Sequence, residues 1–388
     1  MTTSAPESLL VLLHGDDLEA HPGLVDGYRR LLHDGTLAAL DIVPVFGPAG
    51  TSRGLGFWDD VVERAAAQQA TTVLFHYYHH PTLPDPRQAI DRLRERSADL
   101  MVVATLGDAF TNGWLGGHDV PRTFLQLASA ADLVTLTSMG GLAAHVRRAT
   151  RAPIVINPNG VCQVRFAPPT AADLTVSREF DVAFIGSRNR PRNPLRPYHW
   201  ASRRRERLVH GLSARFGRRF AVFGNGWDHL ESARGPVDFT AQADAARRAR
   251  VLVGGIPFSR NRYYTSNRVF FQGSSGVPMV DVAVPGVDTL LRPGDHWTLT
   301  EEEALLDTTE AMVQRSDDEL TDMGLRAATH VFAHHTQAHR CAGLVEQVSR
   351  VRQLRSGRQV LPHLPFFLPE VDNDLEAPLA TTGWGTIS

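Results

Sequence analysis

The stretch SNRVFFQGSSGVPMV, Ser266–Val280, opens with polar residues, passes through Phe270 and Phe271, and closes on Gly276-x-Pro278 before an apolar run. That order predicts a helix start, a short helix and a buried strand. Thr265 or Ser266 stands where a helix cap belongs, with Asn267 and Arg268 in the first turn. The free amides and positive dipole end at such a start suit a diphosphate, and Arg268 adds charge. An ordinary capped helix with a surface arginine fits the same residues.

Working outward, the same helix-and-strand unit recurs. AQADAARRARVLVGGIPF reads as helix, strand and loop, RFAVFGNGW as strand and glycine turn, and FDVAFIGS as a strand ending on Gly186-Ser187. In WASRRRERLVHGLSARFG, Trp200, Leu208, Leu212 and Phe216 recur at multiples of four and predict a helix. The first half alternates in the same way, through SLLVLLHG, GLVDGYRRLLHDG, LDIVPVF, GFWDDVVERAAAQQA and TTVLFHYYHHP. Such alternation predicts an α/β protein with two Rossmann-like, doubly wound parallel sheets. The Pro- and turn-rich stretch from Asn157 separates them. The expected division is a domain over 1–160, a linker over 161–178, a second domain over 179–350 and a Pro-rich tail over 351–388 packing on the surface. SDDELTDMGLRAATHVFAHHTQAHRCAGLVEQVSRV reads as helical, with Ser316 and Glu319 in capping-box spacing.

Composition narrows the chemistry. The chain has 388 residues, enough for two cores, with 43% hydrophobic and 21% charged content. The net charge of −2 gives no footprint for nucleic acid. Lysine is absent, so all 40 basic residues are arginine. A Walker-type phosphate loop and a pyridoxal Schiff base each need a lysine and are excluded. No G-x-G-x-x-G follows the first strand, which disfavours a dehydrogenase. Two distant cysteines, Cys162 and Cys341, fit a reducing cytoplasm. The run Leu9–Leu13 is too short for a membrane span.

Five loops carry candidate chemistry. IGSRNRPRN delivers Gly186 and Ser187 into a turn with Arg188, Arg190 and Arg192, where glycine permits close approach of an anion. FGNGW places two glycines before Trp227. HYYHHP gathers His76, His79 and His80; its spacing matches no metal signature, and a cluster binding polar hydroxyls fits better. LGDAF sets Asp108 at a strand end, and HGDDLEAH offers His14, Asp16, Asp17 and His21 at the matching place on the first strand. A carboxylate at either place suits a base or a hydroxyl clamp. Solvated loops, turn-forming aspartates and a core tryptophan fit these residues as well.

Taken in series, these pieces resemble glycosyltransferases of the GT-B fold, CgeB-like and GT4-like, most strongly from about Ala130 to Val348. SAADLVTLTS followed by APIVINPNGVCQVRFAP is similar to the family's stretch closing the first domain. FDVAFIGS and RFAVFGNGW resemble its strands opening the nucleotide domain. SNRVFFQGSSGVPMV resembles its Arg-x-Phe-Glu element through Arg268, Phe270, Gly276 and Pro278, and HTQAHRCAGLVEQV its closing helix through His335, Thr336 and Arg340.

The resemblance implies two Rossmann-like domains facing a central cleft and transfer of a sugar from a nucleoside diphosphate donor. Short acceptor-side loops and the lack of a membrane-binding basic or amphipathic segment point to a small-molecule acceptor with an O-, N- or S-nucleophile, in bacterial natural-product biosynthesis. Donor contacts would come from Gly186, Ser187, Arg188, Asn225, Trp227, Tyr264, Thr265, Ser266, Asn267, Arg268 and Gln272, with the base near Gly235–Asp238 and Gly255–Pro257. The first domain would hold the acceptor with His14, Gly15, Asp17, His76 and His80, and supply catalysis from Asp108, Asp16 or His79. The implied co-substrate is a GDP, UDP, ADP or TDP sugar, with no bound cofactor and no metal. Partners reduce to donor and acceptor, without nucleic acid or stable membrane association; a homodimer stays open. The family's glutamate falls at Phe271 and its partner acidic position at Tyr263. Phenylalanine accepts no hydrogen bond from a hydroxyl. Gln272 or Ser274 takes over, or the donor is held differently, or transfer is lost. A non-catalytic GT-B-like binding or partner protein, and a nucleotide-sugar epimerase, are the alternatives.

Overall fold

The computed structural model describes residues 6–47, 53, 56–78, 80, 83–107, 120–139, 141–189, 197–255 and 261–357. They form two units. One contains the described residues through Pro158 together with those from Gln337 onward, and the other runs from Asn159 to Thr336.

The first unit alternates β1 (Glu7–Leu13), α1 (Pro22–His33), β2 (Leu37–Pro44), α2 (Phe57–Ala67), β3 (Thr72–His76), α3 (Arg87–Arg96), β4 (Met101–Thr105), α4 (Arg122–Ala130), β5 (Leu133–Leu136), α5 (Gly141–Arg147) and β6 (Ile154–Ile156). The strands pair in parallel in the order β2-β1-β3-β4-β5-β6. All seven residues of β1 are buried, as a strand covered on both faces requires. Phe57, Val61 and Val62 turn the inner face of α2 to the core, as their spacing predicts.

The second unit holds α6 (Ala171–Leu174), β7 (Phe180–Ile185), α7 (Pro197–Phe216), β8 (Phe220–Phe223), α8 (Gln242–Arg247), β9 (Ala249–Val253), α9 (Asn267–Gly273), β10 (Met279–Val282), β11 (Thr298–Thr300), α10 (Leu305–Val313) and α11 (Asp317–His334). Its five strands are also parallel, in the order β11-β10-β9-β7-β8. Val182, Phe184, Leu212, Phe216, Val251 and Val280 build its core. Leu212 and Phe216 of α7 are buried, but Trp200 is 54% exposed. Positions four apart drift by about 40° per step on a helix, so Trp200 and Phe216 do not share a face. The expected doubly wound architecture of both sheets is present.

The chain returns to the first unit earlier than the expected boundary at 350. The capping box of Ser316 and Glu319 starts α11 as predicted. The helical run then breaks at His335 (φ −128°, ψ 31°), whose carbonyl accepts from the backbone of Val161 at 2.8 Å. From there α12 (Gln337–Arg355) belongs to the first unit. Gly27 of α1 lets it approach closely, since a methyl there would lie 2.8 Å from the Ala338 backbone. Arg352 donates through Nε and Nη2 to both oxygens of Glu7, each at 2.9 Å, and Arg355 donates to Asp132 at 2.6 Å. Residues 351–355, expected in the tail, are therefore helical; the tail from 358 lies outside the described residues. The expected linker contributes α6, with a capping box between Thr170 and Asp173, to the second unit. Among the described residues no helix is long and apolar enough to cross a membrane.

Candidate functional site

In an open parallel sheet, ligands bind beyond the carboxyl ends of the strands, where the strand order reverses. In the second unit the chain leaves β7 for β8 on one side and later lays β9 on the other. The reversal lies between β7 and β9, and the residues just past these strands are Gly186 and Gly254-Gly255.

Glycine is required at this rim. A methyl on Gly224 (φ +142°) would lie 2.6 Å from the Gly186 carbonyl, and one on Gly254 would lie 1.9 Å from the Asp281 carboxylate. Gly186 donates its N–H to Phe223 O at 2.7 Å. Asp281, which sequence reasoning passed over, is 1% exposed and accepts from the amides of Gly255 at 2.8 Å and Val282 at 2.7 Å. It ties the ends of β9 and β10 together.

The expected donor residues divide into two groups. Arg268 lies at the rim: its guanidinium sits over the Phe184 ring at 5.2 Å, and its Nη2 would be 3.0 Å from a methyl on Gly186. Ser187 Oγ accepts from Asn225 N at 3.3 Å, and Arg188 N donates to Asn225 O at 2.9 Å, so these residues bind the two loops to each other. Ser266 occupies the cap position before Asn267, but its side chain makes no capping bond.

The others are engaged or enclosed. Trp227 is fully buried and donates its indole N–H to Gly186 O at 2.8 Å, so it anchors the loop and presents no face to a ligand. Arg188 pairs with Glu206 and lies over the Trp227 ring at 5.6 Å. Its charge is already neutralised. Tyr264 and Thr265 are buried, and Gln272 is 2% exposed with both amide atoms buried and without a partner. Phe271 stacks on Phe166 (5.7 Å, 5°) and meets the edge of Phe239 at 5.1 Å. Phe239 is 39% exposed and stands in the segment just after the expected base-binding loop. Residues 190, 192, 256 and 257 lie outside the described residues.

A cavity of about 390 Å³ opens beside this rim, lined by Arg204, Arg205, Leu208, Gly255, Val282 and Glu302 among others. Arg205 was missed because it stands in a run of three arginines that reads as a solvated face.

The first unit reverses its strand order between β1 and β3. The loops after these strands carry the expected acceptor residues, and the fold brings them together. His14 N donates to His76 O at 3.0 Å. The Phe46 ring meets His14 at 5.2 Å and His80 at 5.5 Å, both edge-on. Burial, and then the charge of His80, hold the His14 imidazole below its ordinary pKa, favouring the neutral ring. Gly15 takes φ +127°, Asp16 is exposed, and Asp17 accepts from Ala20 N at 2.8 Å as a turn former.

His76 departs from the expectation. It is 1% exposed, its Nδ1 bonds the Tyr28 hydroxyl at 2.9 Å, and burial lowers its pKa to about 3. It belongs to the core rather than to a ligand surface. Tyr77 takes its place at the strand end, in a left-handed conformation (φ 63°), with its ring 2.7 Å from where a Gly107 methyl would be. Positive φ in a bulky residue is a recognisable mark of strain at functional sites. Asp108 and His79 lie outside the described residues. Among the described residues, no three His, Cys, Asp or Glu side chains are grouped to hold a metal ion.

Residues 203–346 match the family described as glycosyl transferase-like. No curated protein matches the chain. Among solved structures, the chain is similar to Anabaena HepE, solved with UDP and glucose, at 13% identity and TM-score 0.54, covering 88% of this chain and 99% of that one. It is similar to a glycosyltransferase from Rickettsia africae at 12% identity and TM-score 0.60, covering 90% and 99%. It is also similar to sucrose-phosphate synthase from Thermosynechococcus elongatus at 15% identity and TM-score 0.53, covering 91% and 100%. The two parallel-sheet units are those of the GT-B fold.

Proposed function

We propose that this protein is a glycosyltransferase that takes a sugar from a nucleoside diphosphate donor and passes it to a small-molecule acceptor. The observation that carries the reading is the rim between β7 and β9. There Gly186 and Gly255 bring backbone without side chains to the strand ends, and the Arg268 guanidinium lies against Gly186. Close approach to a side-chain-free backbone and a guanidinium suit a diphosphate. Two supports come from outside the chain: the family match over 203–346, and the UDP bound by HepE. A UDP sugar is accordingly the first donor to test, ahead of GDP, ADP and TDP sugars.

The reaction forms a bond from the acceptor nucleophile to the anomeric carbon and breaks the bond from that carbon to the diphosphate oxygen. The oxygen keeps the electron pair. The acceptor proton passes to a base, for which Asp108, Asp16 and His79 are the candidates. Catalysis rests on positioning and on stabilising the departing diphosphate, with no metal required. The acceptor side belongs to the first unit, at the His14–His80 loops. A bacterial natural-product intermediate is the acceptor class we favour.

Phe271 favours one other reading. A ring in place of a hydroxyl-binding carboxylate suits a protein that binds nucleotide sugars without turning them over. Thermal unfolding with UDP, GDP, ADP and dTDP tests both readings, because a ligand selective for the native state raises Tm. A rise with one diphosphate is expected. No rise with any of the four contradicts both readings, whereas binding without sugar transfer to any acceptor supports the second.

A further inference from the structure

The chain lacks lysine, so arginine must supply any fixed positive charge at the second unit's rim. Arg188 is spent on Glu206. Arg205 is not spent. It is 8% exposed, its Nη1 donates to Ser187 O at 3.0 Å, and its Nε is buried without a partner. No carboxylate among the described residues pairs with it, whereas its neighbour Arg204 meets Glu302 at 3.6 Å. A buried cation without a counterion is costly, and a bound anion relieves that cost.

Helical register explains why Arg205 is held inside. Ala201, Arg204, Arg205 and Leu208 are spaced i, i+3, i+4 and i+7, so they share one face of α7. That face is one wall of the 390 Å³ cavity, with Gly255 and Val282 at the ends of β9 and β10 opposite, and Leu305 and Leu306 of α10 beside them. The wall is apolar at its ends and charged in its middle. Its bond to Ser187 O sets the guanidinium directly beside the Gly186-Ser187 turn.

We propose that Arg205 holds the donor's diphosphate from within this cavity alongside Arg268 at the rim, and that Arg188 serves only to brace the loop. This rests on reading the second unit as a nucleotide-sugar site. The planar guanidinium offers paired N–H donors to phosphate oxygens, and the apolar ends of the wall exclude water from the contact.

The test compares a nucleoside diphosphate with its nucleoside, UDP with uridine in the first instance, by calorimetry on the full chain. Arg205→Gln is expected to weaken UDP about 30-fold and leave uridine within about threefold. Arg188→Gln is expected to leave the UDP-to-uridine ratio unchanged. Arg205→Met gives a second readout, because it removes an uncompensated buried charge while filling the space. The ligand-free Arg205→Met protein is expected to melt no lower than the wild type, yet to lose its preference for UDP. An unchanged ratio in both Arg205 variants overturns the proposal, as does a parallel loss of UDP and uridine. A wild type that binds no nucleoside diphosphate overturns the nucleotide reading itself, and this proposal with it.

Discussion

Gly224 and Gly186 touch backbone to backbone: a methyl on Gly224 would stand 2.6 Å from the Gly186 carbonyl and 2.8 Å from Ser187 N. Gly224 also holds φ +142°, a conformation closed to other residues. Gly224→Ala is therefore expected to cost about 2–4 kcal/mol and to abolish nucleoside diphosphate binding. Urea unfolding and calorimetry check this. A variant of wild-type stability that binds normally would show that the β7 and β8 loops have room to separate.

Arg352 closes α12 onto the first unit through Glu7, which also accepts from Thr71 Oγ1 at 2.6 Å and Thr72 Oγ1 at 2.8 Å. Arg352 is partly exposed, so the pair is worth less than a fully enclosed one. Arg352→Ala is expected to cost about 1–3 kcal/mol, because Glu7 is left buried with fewer donors. The loss should appear in urea unfolding at pH 7 and shrink toward pH 4. Burial alone would raise the Glu7 pKa, but the bonds from Arg352, Thr71 and Thr72 bring it below the ordinary value. Stability from such a carboxylate is present above the unfolded value and is lost as pH falls through the folded one. An Arg352→Ala loss that is equal at both pH values contradicts this.

His76 sets a second acid-sensitive element. Its folded pKa is about 3, whereas the unfolded chain takes up the proton near 6.5. The unfolded state thus binds more protons between these values, so stability falls as pH drops from 6.5 toward 3. By pH 5 the loss amounts to about 2 kcal/mol. His76→Gln, which cannot titrate, is expected to flatten the dependence of the urea midpoint between pH 7 and 5. A slope identical to that of the wild type would remove His76 as its source.

Phe271 is held by aromatic neighbours on two sides. Phe271→Ala is expected to cost about 1–3 kcal/mol through lost packing. If its ring serves the cluster with Phe166 and Phe239, UDP affinity should stay within about threefold of the wild type. A drop of tenfold or more would make the ring a direct donor contact.

The strands were legible because buried parallel strands read as unbroken apolar runs, and FDVAFIGS and SLLVLLHG are such runs. The loops after β1 and β3 were picked out by their histidines, and the reversal of strand order does bring His14 and His80 to the same Phe46 ring. What sequence could not rank was burial. Arg188 and Arg205 look alike in the sequence, and only the fold pairs the first with Glu206 while leaving the second without a carboxylate. His76 looks like its neighbours His79 and His80, but it is the last residue of β3, a strand buried along its whole length, and bonds Tyr28. The break at His335 was hidden because the apolar spacing of α11 and α12 nearly continues across it, and the cause is a backbone bond to the distant Val161.

The proposed nucleoside diphosphate site at the rim between β7 and β9 depends on Arg268, with Arg205 beside it. Calorimetric titration of UDP, GDP, ADP and dTDP into the wild type and into Arg268→Gln tests it most directly. One diphosphate is expected to bind the wild type at one site and to bind Arg268→Gln at least about tenfold more weakly. Equal affinity for both proteins, or no binding of any diphosphate to the wild type, would contradict the claim.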